Sequence, residues 1–85
     1  MTKISFVGAG STVFMKNILT DILLESELNS SEITLYDIDS SRLKTSQIVA
    51  DKIAASLKVS ASIKSTNDRK KALKEADFVI VMIQV

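Results

Sequence analysis

Ile4-Ser5-Phe6-Val7-Gly8-Ala9-Gly10-Ser11-Thr12-Val13 is the stretch on which the fold turns. A short, mainly apolar run closes on two glycines one residue apart, and an amphipathic stretch follows at once. The segment reads as a buried strand, a tight backbone turn and the first turn of a helix. The pattern is G-x-G-x-x-V. In that context the first glycine permits the turn, and the second lets the backbone approach an anion seated on unpaired N–H groups at the helix N-terminus. Ser11 and Thr12 add hydroxyl donors beside that seat. Val13 takes the place of a third glycine, whose role is close helix–strand packing, so the helix is expected to stand slightly further off the sheet. The bland alternative is a strand–helix turn whose glycines serve only positive φ.

Outward from the turn, Phe14, Ile18, Leu19, Ile22, Leu23 and Leu28 recur at helical spacing and predict a first helix over Thr12 to Glu27. Asn29-Ser30-Ser31 breaks the pattern. Glu32 to Asp37 then alternates, with branched and aromatic residues suited to a second strand. Asp39-Ser40-Ser41 offers N-cap oxygens, and Leu43, Ala50 and Leu57, seven residues apart, mark a long second helix to about Lys58. A third strand is expected over Ser60 to Ser65, with Ala61 and Ile63 on one face, and a short helix capped by Asp68 runs through Glu75. Asp77 to Val85 is a nearly unbroken apolar run, the pattern of a parallel strand buried on both faces.

Helix-length connections cannot make hairpins, so the strands are parallel and joined by right-handed crossovers in the spatial order 3-2-1-4. The fold class is α/β: a Rossmann-like, doubly wound parallel sheet, truncated at four strands. Residues 1–85 are expected to be the amino-terminal part of a dinucleotide-binding domain, the apolar last residues running on into a longer protein.

Composition narrows the chemistry. The 85 residues are 46% hydrophobic and 25% charged, a globular balance. Eleven Lys and Arg against ten Asp and Glu, spread along the chain, leave no electrostatic footprint for nucleic acid or anionic lipid. Neither cysteine nor histidine occurs, which removes disulfides, thiol nucleophiles, imidazole bases and the two commonest soft metal ligands together. With no secretory leader or 18-residue apolar stretch, a cytoplasmic protein without membrane contact is expected.

Asp37 gives the glycine turn its chemical meaning. It ends the second strand 24 positions after Val13, near the roughly 20 expected of an acid that binds a ribose. A carboxylate there accepts the ribose hydroxyls and repels a 2′-phosphate, favouring NAD over NADP. Arg42 and Lys44 read as solvated helix residues, either able to meet such a phosphate. Asp39 and Asp68 read first as helix N-caps, with a lesser reading in which Thr66-Asn67-Asp68 lies along the adenine. Gln84, at the carboxyl end of the fourth strand, reads equally as a ligand contact and as an ordinary strand end. Phe6, Phe14, Tyr36 and Phe78 read as packing residues.

Phe6 to Phe14, Leu35-Tyr36-Asp37-Ile38-Asp39, Asn67-Asp68-Arg69 with Ala72-Leu73, and Met82-Ile83-Gln84-Val85 together resemble the amino-terminal region of glycoside hydrolase family 4 over nearly the whole chain. The α-galactosidase branch looks closest, through Ser-Thr-Val-Phe and Ile-Gln-Val. The resemblance implies an NAD- and manganese-dependent α-galactosidase or α-glucosidase that acts on a small-molecule glycoside. Hydride is removed transiently from C3 of the sugar, the C2 proton becomes acidic, and elimination, water addition and hydride return follow. It further implies that Gly8, Gly10, Ser11, Thr12, Asp37 and Gln84 are cofactor residues. The metal ligands, a cysteine and a histidine, and the tyrosine base lie downstream, so no catalytic or metal residue falls in this chain and the chain alone is inactive. The alternatives are a fragment of an NAD-dependent 2-hydroxy-acid dehydrogenase and a structural module with no retained binding. A homo-oligomer is expected, the 85 residues alone pairing as a dimer through the edge strand Phe78 to Val85.

Overall fold

A computed structural model of the chain describes residues 2–74 and 76–82. Seven elements alternate: β1 (Lys3–Val7), α1 (Thr12–Leu24), β2 (Glu32–Tyr36), α2 (Ser40–Leu57), β3 (Ser62–Thr66), α3 (Arg69–Leu73) and β4 (Phe78–Val81). The four strands form one sheet in the order β3-β2-β1-β4, every pair parallel. This is the Rossmann-like order that the alternation predicts.

Period-two alternation sorts the sheet into two faces. Ile4 and Phe6 of β1 and Ile33 and Leu35 of β2 are buried, and they join Met15, Leu19 and Leu23 of α1 and Leu43 and Ala50 of α2 in one core. Each of the larger side chains among these contributes about 1.5–3 kcal/mol on leaving water, before conformational entropy is counted. Ser5, between Ile4 and Phe6, points to the other face, where its hydroxyl donates to the carbonyl of Ala72 in α3. On that same face Lys64 donates to Glu32 at 2.6 Å between neighbouring strands.

The buried line of α1 is Met15, Leu19 and Leu23, four residues apart, with Ile18 and Ile22 packed beside it. Phe14 is 52% exposed, one residue off that line, and so is no packing residue here. Helix α1 stops at Leu24 rather than Glu27, and the Glu25 N–H bonds back to the Ile22 carbonyl. The second helix ends on Lys58 in the left-handed region, φ 55°, which turns the chain toward β3. Strand β3 begins two residues later than expected, while Ala61 and Ile63 do pack on the core. Strand β4 departs from its apolar pattern: Phe78 and Val81 are 60% and 62% exposed, because β4 lies at the sheet edge, while Ile80 packs on the core. The final part of that run, with Gln84, lies outside the described residues.

Candidate functional site

In a parallel sheet, ligands bind at the carboxyl ends of the strands, and here the backbone draws those ends together. The N–H groups of Gly8 and Ala9 both donate to the Tyr36 carbonyl at 2.9 Å, and the Met82 N–H donates to the Val7 carbonyl at 2.8 Å. Gly8 has φ +85°, and a Cβ on it would lie 2.6 Å from the Met82 carbonyl oxygen. It meets the positive-φ reading. Gly10 has a different reason to be glycine. A Cβ there would fall 2.6 Å from Asp37 Oδ2 and 3.0 Å from Arg42 Cβ. Closeness, not φ, excludes a side chain.

That closeness is a bond. The Gly10 N–H donates to Asp37 Oδ2 at 2.8 Å, and the Asp39 N–H donates to Asp37 Oδ1 at 2.9 Å. Each carboxylate oxygen thereby retains acceptor capacity for a further donor. Asn67 steadies the same corner, giving its amide N–H to the Asp37 carbonyl at 2.8 Å and receiving the Ser40 hydroxyl at 3.2 Å. A cleft of about 400 Å³ opens between Gly8, Ser11, Asp37, Arg42 and Met82. Ile38, 84% exposed, forms part of its wall.

Helix N-termini differ in how they are finished. Asp39 accepts from the Arg42 N–H at the start of α2, and Asp68 accepts from the Lys70 and Lys71 N–H groups at the start of α3. Both caps match the sequence reading. At α1 the N-cap Ser11 makes no side-chain cap bond. The first-turn N–H groups of α1 therefore have no side-chain cap from Ser11, a donor set suited to an oxygen anion. Thr12 is placed otherwise than a phosphate-facing hydroxyl would be: its Oγ1 lies 2.9 Å from Ser46 Oγ. Val13 is 72% exposed, so its side chain is not wedged between helix and sheet. Arg42 Nε lies 3.7 Å from Asp39 Oδ2, an exposed pair at the rim of the cleft.

Two site residues escape sequence reading. Ser46 is fully buried on α2, and its hydroxyl donates to the Ala9 carbonyl at 2.6 Å. Its signal is a serine in the apolar stripe Leu43, Ser46, Ala50. Asn67 reads in the sequence only as part of a loop, whereas its side chain bonds to the Asp37 carbonyl just after β2 and to Ser40 at the start of α2. The pieces fit NAD: a glycine turn with no Cβ in the way, a helix start with free donors, and an acid with open acceptor sites. Metal is a different matter, since among the described residues no cluster of three His, Cys, Asp or Glu side chains comes together.

The model for family 4 glycosyl hydrolases matches residues 3–85. An α-galactosidase of Bacillus subtilis (strain 168) is 49% identical over all of this chain, which covers 20% of that protein. Among solved structures, a 6-phospho-α-glucosidase from gut microorganisms, in complex with NAD and glucose-6-phosphate, superposes with a TM-score of 0.88 at 28% identity, over 99% of this chain and 19% of its own. A 6-phospho-β-glucosidase from Thermotoga maritima, with manganese, NAD+ and glucose-6-phosphate, gives 0.76 at 25% identity over 96% and 20%. The chain thus spans about a fifth of the length of the relatives it matches. The match over nearly every residue leaves the dehydrogenase alternative with the weaker support.

Proposed function

The chain belongs to family 4 of the glycosyl hydrolases, and we propose that it is the amino-terminal NAD-binding part of an α-galactosidase or α-glucosidase. The observation that carries this reading is the joining of Asp37 to the glycine turn through the Gly10 N–H. One carboxylate both holds the turn and keeps acceptor sites open beside it.

In this reading Asp37 accepts the adenosine ribose hydroxyls, while Gly8 and Gly10 keep the crevice clear of side chains. Ser11 and the first turn of α1 receive the pyrophosphate, the Ser11 hydroxyl being uncommitted to its own helix. Thr12 contributes its backbone N–H, and the resemblance adds Gln84 as a cofactor contact. When bound, NAD+ supplies a hydride acceptor for the sugar. The resemblance assigns the reaction a divalent metal, manganese, for which the described residues bring no cluster of three His, Cys, Asp or Glu ligands together. A small glycoside is the substrate. Among the described residues no helix is long and apolar enough to cross a membrane, and a cytoplasmic enzyme is part of this reading. The 85 residues on their own pair through the open edge of β4 with a second copy.

Turnover of an α-galactoside in deuterated water by the whole protein is the test of the reaction. Deuterium is expected at C2 of the released sugar, with activity dependent on both NAD+ and a divalent metal. Sugar released without deuterium by protein stripped of both would overturn the assignment.

A further inference from the structure

The Ala9–Gly10 peptide unit is held at both ends. Its carbonyl accepts the Ser46 hydroxyl at 2.6 Å, and its N–H donates to Asp37 Oδ2 at 2.8 Å. A carbonyl has no proton to give, so the single Ser46 proton is committed to Ala9. The 2.9 Å contact between Thr12 and Ser46 is therefore donated by Thr12, whose single proton has the Gly10 carbonyl, 3.4 Å away, as its longer alternative acceptor. The step from Ser46 to Ala9 has one direction, and the shorter of the two Thr12 contacts feeds into it.

Two consequences follow for an anion at the turn. The Gly10 N–H is turned to Asp37 and the Ser11 N–H to the Gly8 carbonyl, 3.1 Å away, so neither is left over for a phosphate oxygen. The donors without an intrahelical acceptor are those of the first turn of α1, at Thr12, Val13 and Phe14. Where that turn presents them depends on the peptide plane immediately before it. Ser46 sits in a helix stripe that an alanine would fill equally well, and a buried hydroxyl is costly unless bonded. Its presence there is accounted for by its bonds to the turn, not by packing.

We infer that Ser46 is a positioning residue for the cofactor pyrophosphate: from behind the turn it sets the Ala9–Gly10 peptide plane, and with it the donors at the start of α1. The inference rests on the NAD-binding reading above. Its test is Ser46→Ala in the whole protein, with dissociation constants measured for NAD+, ADP and adenosine, and amide hydrogen exchange followed without ligand.

Loss of one hydrogen bond's worth of positioning is expected to weaken NAD+ and ADP by about tenfold. Adenosine, which lacks the phosphates, should bind as before. The Gly10 amide should exchange faster than in the parent, while that of Leu35, in the core of β2, does not change. Ala50→Gly, one turn further along the same stripe, lowers stability without touching the turn and should leave all three affinities intact. An S46A variant that binds NAD+ and ADP as the parent does, or that loses adenosine to the same degree, overturns the role of Ser46. A parent that binds neither NAD+ nor ADP brings down the cofactor reading itself, and this inference with it.

Discussion

Gly8 and Gly10 look interchangeable in a motif, yet different forces hold them. Alanine at Gly8 must adopt φ +85° and place its Cβ 2.6 Å from a backbone carbonyl of β4's continuation, Met82, so the sheet itself has to give. The expected cost is at least about 2 kcal/mol of stability in urea unfolding. Alanine at Gly10 meets the Asp37 carboxylate first, the end of a side chain that can swing away. Gly10→Ala should therefore cost less stability and more NAD+ affinity; equal losses of stability in the two variants would contradict this account. The same two glycines and Asp37 were legible in the sequence because motif and spacing fix them along one chain segment each. Ser46 and Asn67 were not, since their partners Ala9 and Asp37 lie 37 and 30 residues away. The contact of the Thr12 hydroxyl is unreadable for the same reason: its partner, Ser46, is on another helix.

Among the elements, the alternation of strand and helix was readable because each connection is too long for a hairpin, and the observed β3-β2-β1-β4 order follows. Helix faces were less readable. Counting apolar residues placed Phe14 on the buried stripe, while the geometry of α1 centres it on Met15, Leu19 and Leu23. Between β2 and β3, the hydrogen bond and charge of Lys64 hold the Glu32 carboxyl below its ordinary value, with Lys3 adding a smaller pull. A lowered pKa in the folded state means stability that is present above the unfolded value and lost as pH falls through the folded one. Lys64→Met should accordingly flatten the decline in stability between about pH 5 and pH 3. Denaturation curves at both pH values check it, and a decline as steep as the parent's would remove the coupling.

For the molecule as a whole, α1 and α2 pack on one face of the sheet, and among the described residues the sheet ends at two edges, β3 and β4. Strand β4 has no neighbour on its outer side among the described residues, and its exposed Phe78, Val79 and Val81 carry neither charge nor proline to blunt pairing. Taken alone, the 85 residues should sediment as a dimer at high micromolar concentration, the two β4 strands antiparallel about a two-fold axis; a monomer under those conditions would contradict this. The central claim, that the glycine turn and Asp37 form an NAD site, is tested most directly by calorimetric titration of the whole protein with NAD+ and NADP+, in the parent and in Asp37→Ala. The parent should bind NAD+ at one site per chain and prefer it to NADP+. Removal of the carboxylate should cost about 1–3 kcal/mol of NAD+ binding and narrow that preference. Unchanged NAD+ affinity in Asp37→Ala, or a parent that takes NADP+ as readily, would contradict the claim.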